Sequence, residues 1–210
     1  DRPRAAWNGT NWLVVYESVD RNGTGYYTSS LEALRVSPSG QVLDPKPIKI
    51  YNVVPVGATW AVASDGSQWV IAIQSTSVNG DLVASRISAA GVLLDPGPKQ
   101  LVPETYYLRG GFHLAYAGGV FLLAFEESMT GSDPTTAIRF DSNLDKLDPA
   151  PYSLNGSPFS RMISNGSNFY AVWSEQLPDF TTAIKGSRIG TNGQKLDGTG
   201  VNISGPNPPA

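Results

Sequence analysis

Four arginine–aspartate pairs recur along the chain at one spacing, and they are the first residues whose types could do chemistry. Each aspartate follows its arginine by nine positions: Arg35 and Asp44, Arg86 and Asp95, Arg139 and Asp148, Arg188 and Asp197. The first two arginines open the segments Arg-Val-Ser-Pro-Ser-Gly and Arg-Ile-Ser-Ala-Ala-Gly. Because the pair recurs in every copy, we interpret it as a structural ion pair, or as a carboxylate that accepts turn N–H groups, rather than as four active sites.

A second set of chemically capable residues lies in segments where the copies differ. These segments are 17–28, 51–59, 75–82, 102–111, 127–136, 155–160 and 175–183, and binding faces of repeat proteins usually form where insertions collect. Aromatic and acidic residues there or beside them are our candidates for binding: Tyr26, Tyr27, Tyr106, Tyr107, Glu126, Asp133, Glu175, Asp179 and Phe180. Exposed aromatics beside carboxylates suit sugars, peptides or calcium. Each aromatic could equally pack on strand ends, and each carboxylate could simply be solvated.

Three cationic or potentially cationic residues align when the copies are placed in register. Arg4, His113 and Arg161 occupy equivalent positions, and Ala61 occupies the fourth. If these side chains face a common axis, they could hold an anion or a partner carboxylate. A single histidine more often has a structural hydrogen-bonding role.

Catalytic motifs are scarce in this sequence. It has one histidine and no cysteine, so thiolate chemistry and a histidine metal cluster are excluded. No phosphate-binding loop or dinucleotide fingerprint is present. The acidic loops could supply two carboxylates for glycoside hydrolysis, but nothing in the sequence selects a pair. We therefore expect no cofactor, with calcium as the one metal that the acidic loops could hold.

Composition limits the partners. The formal charge is -3 and basic runs are absent, so the electrostatic attraction that dominates nucleic-acid binding is missing. No apolar run approaches the roughly 20 residues that a membrane-spanning helix needs, so we expect neither nucleic-acid binding nor membrane insertion. The 22 glycines and 16 prolines indicate many turns.

The spacing of the motifs defines four repeats of about fifty residues. An Asx-Gly turn and an aromatic residue begin each buried strand, as in Asn8-Gly-Thr-Asn-Trp12 and Asp65-Gly-Ser-Gln-Trp69. The arginine motif then predicts a hairpin whose second strand enters Leu-Asp-Pro, and a short last strand follows. We expect altered turns in repeat three, where Ala117 replaces the Asx and Leu144 replaces the hairpin glycine, and in repeat four, where Gly198 replaces proline.

Repeats with four antiparallel strands at this period predict an all-β protein, a β-propeller of four blades. We expect one domain over residues 1–204, with repeats at about 1–51, 52–102, 103–154 and 155–204, and a Pro-rich tail or linker at 205–210. The alternative is a half-ring that pairs with a second copy into an eight-bladed propeller.

The turn, the strand Trp/Phe-x-Val-Val-Trp/Tyr, the arginine motif and Leu-Asp-Pro together resemble the propeller-type repeats of large secreted or cell-surface bacterial proteins. The resemblance covers nearly the whole chain and implies a propeller in an extracellular, periplasmic or cell-surface location. In blade number and size the chain is also similar to hemopexin-like domains, whose motifs and disulfide it lacks.

These observations predict a non-enzymatic, exported propeller that binds or scaffolds through its variable loops, in protein assembly or self-association. A carbohydrate-binding, lectin-like module is the alternative, with a glycan as its partner. A glycan-processing enzyme is the third hypothesis.

Overall fold

The computed structural model describes residues 3–21, 27–54, 58–74, 81–103, 108–127, 135–154, 161–178 and 180–204. The chain divides into two compact units, Asp1–Thr105 and Tyr106–Ala210. Each unit contains two four-stranded antiparallel sheets, so the prediction of an all-β protein with four strands per repeat is confirmed.

The first unit holds sheets 1 and 2, and the strands of each sheet follow chain order. Sheet 1 consists of β1 (Arg4–Trp7), β2 (Trp12–Arg21), β3 (Tyr27–Val36) and β4 (Ile48–Val54). Sheet 2 consists of β5 (Trp60–Ser64), β6 (Gln68–Gln74), β7 (Leu82–Ser88) and β8 (Lys99–Val102). Neighbouring strands pair antiparallel, so each sheet is a simple meander.

The second unit repeats this arrangement in sheets 3 and 4. Sheet 3 consists of β9 (Leu108–Ala117), β10 (Val120–Glu127), β11 (Thr135–Phe140) and β12 (Tyr152–Ser153). Sheet 4 consists of β13 (Arg161–Ser164), β14 (Phe169–Gln176), β15 (Thr182–Ile189) and β16 (Val201–Ser204).

In a meander, every second connection lies at the same end of the sheet, so the connections of each sheet fall into two groups, one at each end. The Asx-Gly turns and the arginine hairpins share one end, which we call the turn end. Asn8 forms its turn by accepting hydrogen bonds from the backbone N–H groups of Thr10 and Asn11 on its side-chain oxygen. The connections that vary between repeats lie at the opposite end, the loop end.

The core of the first unit lies between its two sheets. Strand alternation points every second side chain of sheet 1 toward sheet 2, and we call this the front face of sheet 1. It packs on the back face of sheet 2, and the buried residues at this seam include Leu13, Val15, Leu31, Trp69, Ile71 and Ile73. Tyr51 also bridges the seam, with its hydroxyl 3.2 Å from Ser85 Oγ, and burial raises the pKa of Tyr51 to about 12.

The second unit has an equivalent seam. The front face of sheet 3 packs on the back face of sheet 4, and its buried residues include Leu122, Ala124, Ala137, Phe169, Ala171 and Trp173. The two units therefore use the same positions of the repeat for the same packing.

Each arginine–aspartate pair forms a clip that closes its own hairpin. Asp44 accepts hydrogen bonds from the Arg35 backbone N–H at 2.7 Å and from Nη2 at 2.6 Å. The other three clips repeat this geometry, with N–O contacts of 2.5–2.8 Å. The structural interpretation of the four pairs is therefore confirmed.

Two clips also hold the next sheet. Arg35 Nη1 donates to the Ala89 carbonyl of sheet 2 at 2.8 Å, and Arg139 Nη1 donates to the Thr191 carbonyl of sheet 4 at 2.9 Å. In each unit, one guanidinium therefore ties its own hairpin and the hairpin of the following sheet together.

Two hairpin expectations need correction. The segment that enters Leu-Asp-Pro does not form a continuous strand. In each repeat a single β-bridge pairs it with the end of the preceding strand, as between Val36 and Val42, because the aspartate side chain folds back to the arginine. The turn at Leu144 is not altered either, since Leu144 adopts a φ of 62° and keeps the turn hydrogen bond to the Asp141 carbonyl. Its left-handed conformation costs about 1–2 kcal/mol, and complete burial of the side chain offsets that cost. Gly198 has a φ of 57°, which proline cannot adopt, so that expected change is confirmed.

The clip leads to a stability prediction. Asp44→Asn should lower the free energy of unfolding by about 2 kcal/mol, because a largely buried guanidinium loses its charged partner. Asp197→Asn, the matched control, should cost clearly less, since its arginine side chain is 57% exposed. Denaturant titration of both variants measures the difference, and equal losses would contradict a role for burial.

The same aspartate predicts how stability depends on pH. Burial would raise the pKa of Asp44, but hydrogen bonds from the Arg35 side chain and backbone outweigh it and hold that pKa below its ordinary value. A depressed pKa stabilises the fold above the unfolded value of about 3.9 and loses this contribution as the pH falls through the folded value. Between about pH 4 and pH 2, Asp44→Asn should therefore lose less stability than the wild type. Parallel slopes in thermal melts across that range would refute the expectation.

Candidate functional site

The loop end contains most of the residues predicted to bind a ligand. Five of them lie outside the described residues: Tyr26, Tyr106, Tyr107, Asp133 and Asp179. Tyr27 is the first residue of β3. The described candidates Glu126, Glu175 and Phe180 all belong to the second unit.

Glu126 and Glu175 stand on the two faces that form the seam of the second unit. Glu126 follows Ala124 by two positions on β10, and Glu175 follows Trp173 by two positions on β14. Ala124 and Trp173 belong to one buried cluster, so alternation places both carboxylates at the loop end of this seam.

Lys185 neutralises one of these carboxylates. Its Nζ lies 3.0 Å from both oxygens of Glu175, and the lysine side chain is largely buried. Lys185 is on β15, adjacent to β14, where it pairs with Trp173. The lysine ammonium and the glutamate carboxylate therefore form an ion pair between two neighbouring strands at the loop end.

Phe180 is the most exposed large apolar residue at this end. It lies in the turn between β14 and β15, where its N–H donates to the Leu177 carbonyl at 2.9 Å. Its φ is 64° and its side chain is 84% exposed. A bulky side chain in the left-handed region is uncommon, and strain of this kind concentrates at ligand-binding positions.

The three predicted cationic residues lie on inner strands of three sheets. Arg4 is on β1 and donates to the Pro3 carbonyl, His113 is on β9 opposite Ala124, and Arg161 is on β13 opposite Val172. The strand register places each of these three residues on the front face of its own sheet. Their joint binding of an anion stays a prediction.

Sheet 1 carries a polar groove of about 270 Å³ on its back face, toward the loop end. Its lining residues are Ser18, Val19, Ser29, Ser30, Glu32, Lys49 and Asn52. Glu32 accepts hydrogen bonds from the hydroxyls of Tyr16 at 3.4 Å and Ser30 at 3.1 Å. The groove can hold a polar ligand, and Glu32 is the one carboxylate among its described lining residues.

A small cavity beside Arg4 has a different character. Arg4, Ala58, Thr59 and Trp60 line about 10 Å³, which is room for one water molecule. Trp60 Nε1 is buried there and has no acceptor among the described residues. We assign this cavity to hydration of Trp60 rather than to a ligand.

Within the described ranges, no group of three or more His, Asp or Glu side chains is arranged to hold a metal ion. Calcium binding at the acidic loops stays a prediction. The described part of the chain forms no helix that could span a bilayer.

Sequence reasoning missed Lys185 and the groove residues Glu32 and Lys49. Glu32 and Lys185 occupy the same position, three residues before the repeat arginine, where the second repeat has the buried Val83. The sequence did contain a signal for these residues, because a charged side chain stands in one repeat where another repeat has a buried apolar one.

Comparisons with known proteins place the fold but not the family. No family model and no curated protein matches the sequence. Among solved structures, the chain is similar to a glycosyl hydrolase from Bacteroides ovatus, with 12% identity over 92% of this chain and 68% of that one, at a TM-score of 0.51. It is also similar to a GH43 endo-arabinanase from Bacillus licheniformis, with 11% identity, 92% and 75% coverage and a TM-score of 0.51. A GH43_1 enzyme from Xanthomonas citri complexed with xylotriose shows 11% identity, 92% and 70% coverage and a TM-score of 0.52.

These likenesses support an all-β fold of the β-propeller type. They also contradict the prediction of a non-enzymatic scaffold, because the similar structures are glycosyl hydrolases. The prediction failed because it treated the lack of a contiguous motif as evidence against catalysis. Glycoside hydrolysis needs only two suitably placed carboxylates, which separate loops can supply.

The seam and the small cavity generate a prediction about two tryptophans. Trp69 Nε1 donates to the Ala6 carbonyl at 3.0 Å across the seam, whereas Trp60 Nε1 has no protein acceptor in the described ranges. Trp69→Phe should therefore cost about 1 kcal/mol more than Trp60→Phe, which removes the same ring atoms but no protein hydrogen bond. Chemical denaturation of both variants measures the costs, and a larger loss for Trp60→Phe would contradict the assignment.

Proposed function

We propose that the protein processes glycans, with Glu126 and Glu175 as its paired carboxylates. The observation that carries the proposal is the position of these two residues on opposite faces of one seam, at its loop end. Glycoside hydrolysis commonly uses two carboxyl groups that flank the scissile bond. The fold likeness to glycosyl hydrolases supports this reading.

Glu175 forms an ion pair with Lys185, and we assign to it the role of the base that activates water or of the nucleophile. Glu126 acts as the acid that protonates the leaving-group oxygen. Phe180 offers an exposed ring on which a sugar can stack.

Substrates to test first follow from the similar structures. One is an endo-arabinanase and another is complexed with xylotriose, so arabino- and xylo-oligosaccharides are the first choice for this chain. A carbohydrate-binding function is a second candidate, favoured by the polar groove at Glu32 and Lys49.

The finer architecture belongs to the same proposal. The four sheets are blades of one propeller domain over residues 1–204, followed by a tail at 205–210, in an exported protein. The alternative is a half-ring that pairs with a second copy into an eight-bladed propeller.

Reducing-end release from these oligosaccharides tests the proposed reaction. Glu126→Gln and Glu175→Gln should each lower kcat about 10²–10⁴-fold, because each removes one proton-transfer or nucleophilic group. Asp145→Asn is the control and should keep the wild-type rate, since Asp145 is an exposed residue of the arginine hairpin at the turn end of the same unit.

The test also separates the two candidate functions. Turnover that survives both substitutions at Glu126 and Glu175 would refute the proposed pair. Oligosaccharide binding without turnover, lost in Glu32→Gln, would instead support the carbohydrate-binding function.

A further inference from the structure

His113 and Glu126 are neighbours on the front face of sheet 3, and both are half-buried. His113 lies directly opposite Ala124 in the pairing of β9 with β10, and Glu126 follows Ala124 by two positions on β10. Strand alternation puts the two side chains on one face, as diagonal neighbours. Diagonal positions are about 7–8 Å apart, a distance that an imidazole and a glutamate can bridge. On the other side, Glu126 pairs with Thr135 of β11, which is buried and uncharged.

The inner strand β9 leaves the space beside Glu126 open. Its register with β10 shifts between Phe125 and Glu127, so that residues 109–111 of β9 stand against Glu126 alone. Gly111 is exposed and has open space where a side chain would be. Irregularities of this kind re-aim side chains and are common beside active sites. Among the described side chains that β9 adds to this face, the titratable one is that of His113.

The charged groups that face this pair across the seam belong to sheet 4. Its back face brings Glu175 and Lys185 to the loop end, where they form an ion pair with each other. Lys195 lies over the ring of Trp173, with Nζ 4.8 Å from the ring centroid. The inner strand β13 adds the uncharged Met162 to the seam. The described cations of sheet 4 therefore have contacts of their own, and the imidazole is the titratable neighbour of the β10 carboxylate.

The first unit has the same diagonal pair with a different cation. Arg4 lies opposite Val15 in the pairing of β1 with β2, and Glu17 follows Val15 by two positions. Sheet 2 has the uncharged Ala61 and Gln74 at these positions, and sheet 4 combines an arginine with a serine. Both sheets that carry the glutamate thus carry a basic residue beside it on the inner strand. The pairing of the two residue types is therefore a feature of the repeat.

Histidine differs from arginine in a way that matters for proton transfer. A guanidinium keeps its proton in proteins, so Arg4 can pair with a carboxylate but cannot pass a proton to it. An imidazole gains and loses its proton near neutral pH. A histidine and a glutamate in contact titrate as one pair, which holds a single proton between its two titration steps.

We propose that His113 is a positioning residue that pairs with Glu126 and supplies the proton that Glu126 passes to the leaving group. The active form of the pair carries one proton. The imidazolium proton moves to the Glu126 carboxylate, and the carboxyl group protonates the glycosidic oxygen as the bond from that oxygen to the sugar carbon breaks and its electron pair goes to the oxygen. His113 ends neutral, Glu126 ends as a carboxylate, and a proton from solvent restores the pair. This role in turnover rests on the proposed function, whereas the pair itself does not.

The pair sets the pH range of the proposed reaction. An isolated glutamic acid loses its proton at about pH 4.3. A histidine beside a carboxylate keeps its proton to a higher pH than the ordinary value of about 6.5, because the negative charge favours the imidazolium. The site should therefore retain a proton for the leaving group up to about neutral pH.

Nuclear magnetic resonance tests the pair without any substrate. The chain has one histidine, so its imidazole signals need no assignment. In Glu126→Gln the midpoint of the His113 titration should move to lower pH by about 1 unit, because the carboxylate that favours the imidazolium is gone. Asp145→Asn removes the same charge at the turn end of sheet 3 and should leave the midpoint unchanged. Equal midpoints in the wild type and in Glu126→Gln would overturn the pair.

The pH profile of turnover tests the role of the pair. With arabino- or xylo-oligosaccharides, the fall of kcat/KM at high pH should follow the His113 titration in the wild type. His113→Arg copies the combination found in the first unit and has no proton to give. It should move this fall to lower pH by about 2 units and reduce kcat/KM at pH 7 about tenfold or more. The uncharged His113→Gln should move it in the same direction.

A purely structural role of His113 would give a different result. Both His113 variants would then lower kcat/KM by the same factor at every pH, and that outcome would overturn the proton supply. A shifted His113 midpoint without turnover of these substrates would refute the proposed reaction and the proton supply, while the pair would stand. Far-UV circular dichroism checks that each variant is folded.

Discussion

The arginine–aspartate clip is the interaction on which the rest of the structure depends. One carboxylate accepts hydrogen bonds from a backbone N–H and from two guanidinium nitrogens. The hairpin between Arg35 and Asp44 therefore closes without a second continuous strand. The fork is occupied by the aspartate through Nε and Nη2, which leaves Nη1 to reach the next hairpin. A planar guanidinium can make both contacts at once, whereas a lysine ammonium has no such fixed fork.

The clip also explains where chemistry can occur. Clips and Asx-Gly turns hold the turn end of each sheet, and their sequences are constrained by that geometry. Among the described residues of the loop end no such contact recurs, and the sequences there differ between repeats. Glu126 and Glu175 lie there on strands whose other end is fixed, and Phe180 lies in the turn that follows β14, which is an arrangement that positions functional groups well.

Much of the fold could be predicted because repetition amplifies weak local signals. The period of the arginine motif, the Asx-Gly turns and the buried strands gave four sheets of four strands, and the recurring pair indicated a structural clip. The prediction for Leu144 failed because turn propensity ignores tertiary burial, and burial of this leucine outweighs its backbone cost. Lys185 was missed because its contact with Glu175 crosses two strands and depends on register. The functional class was wrong because dispersed carboxylates leave no linear motif.

The central claim is that the clip joins neighbouring sheets and does more than close its own hairpin. Amide hydrogen exchange in Arg35→Lys tests it directly, since lysine can still pair with Asp44 but cannot also hold the Ala89 carbonyl in the same geometry. The account predicts faster exchange at Gly91 and Leu94, whose N–H groups form the hairpin of the next sheet, as well as at residues near Arg35. Faster exchange confined to the hairpin that follows Arg35, with Gly91 and Leu94 unchanged, would contradict it.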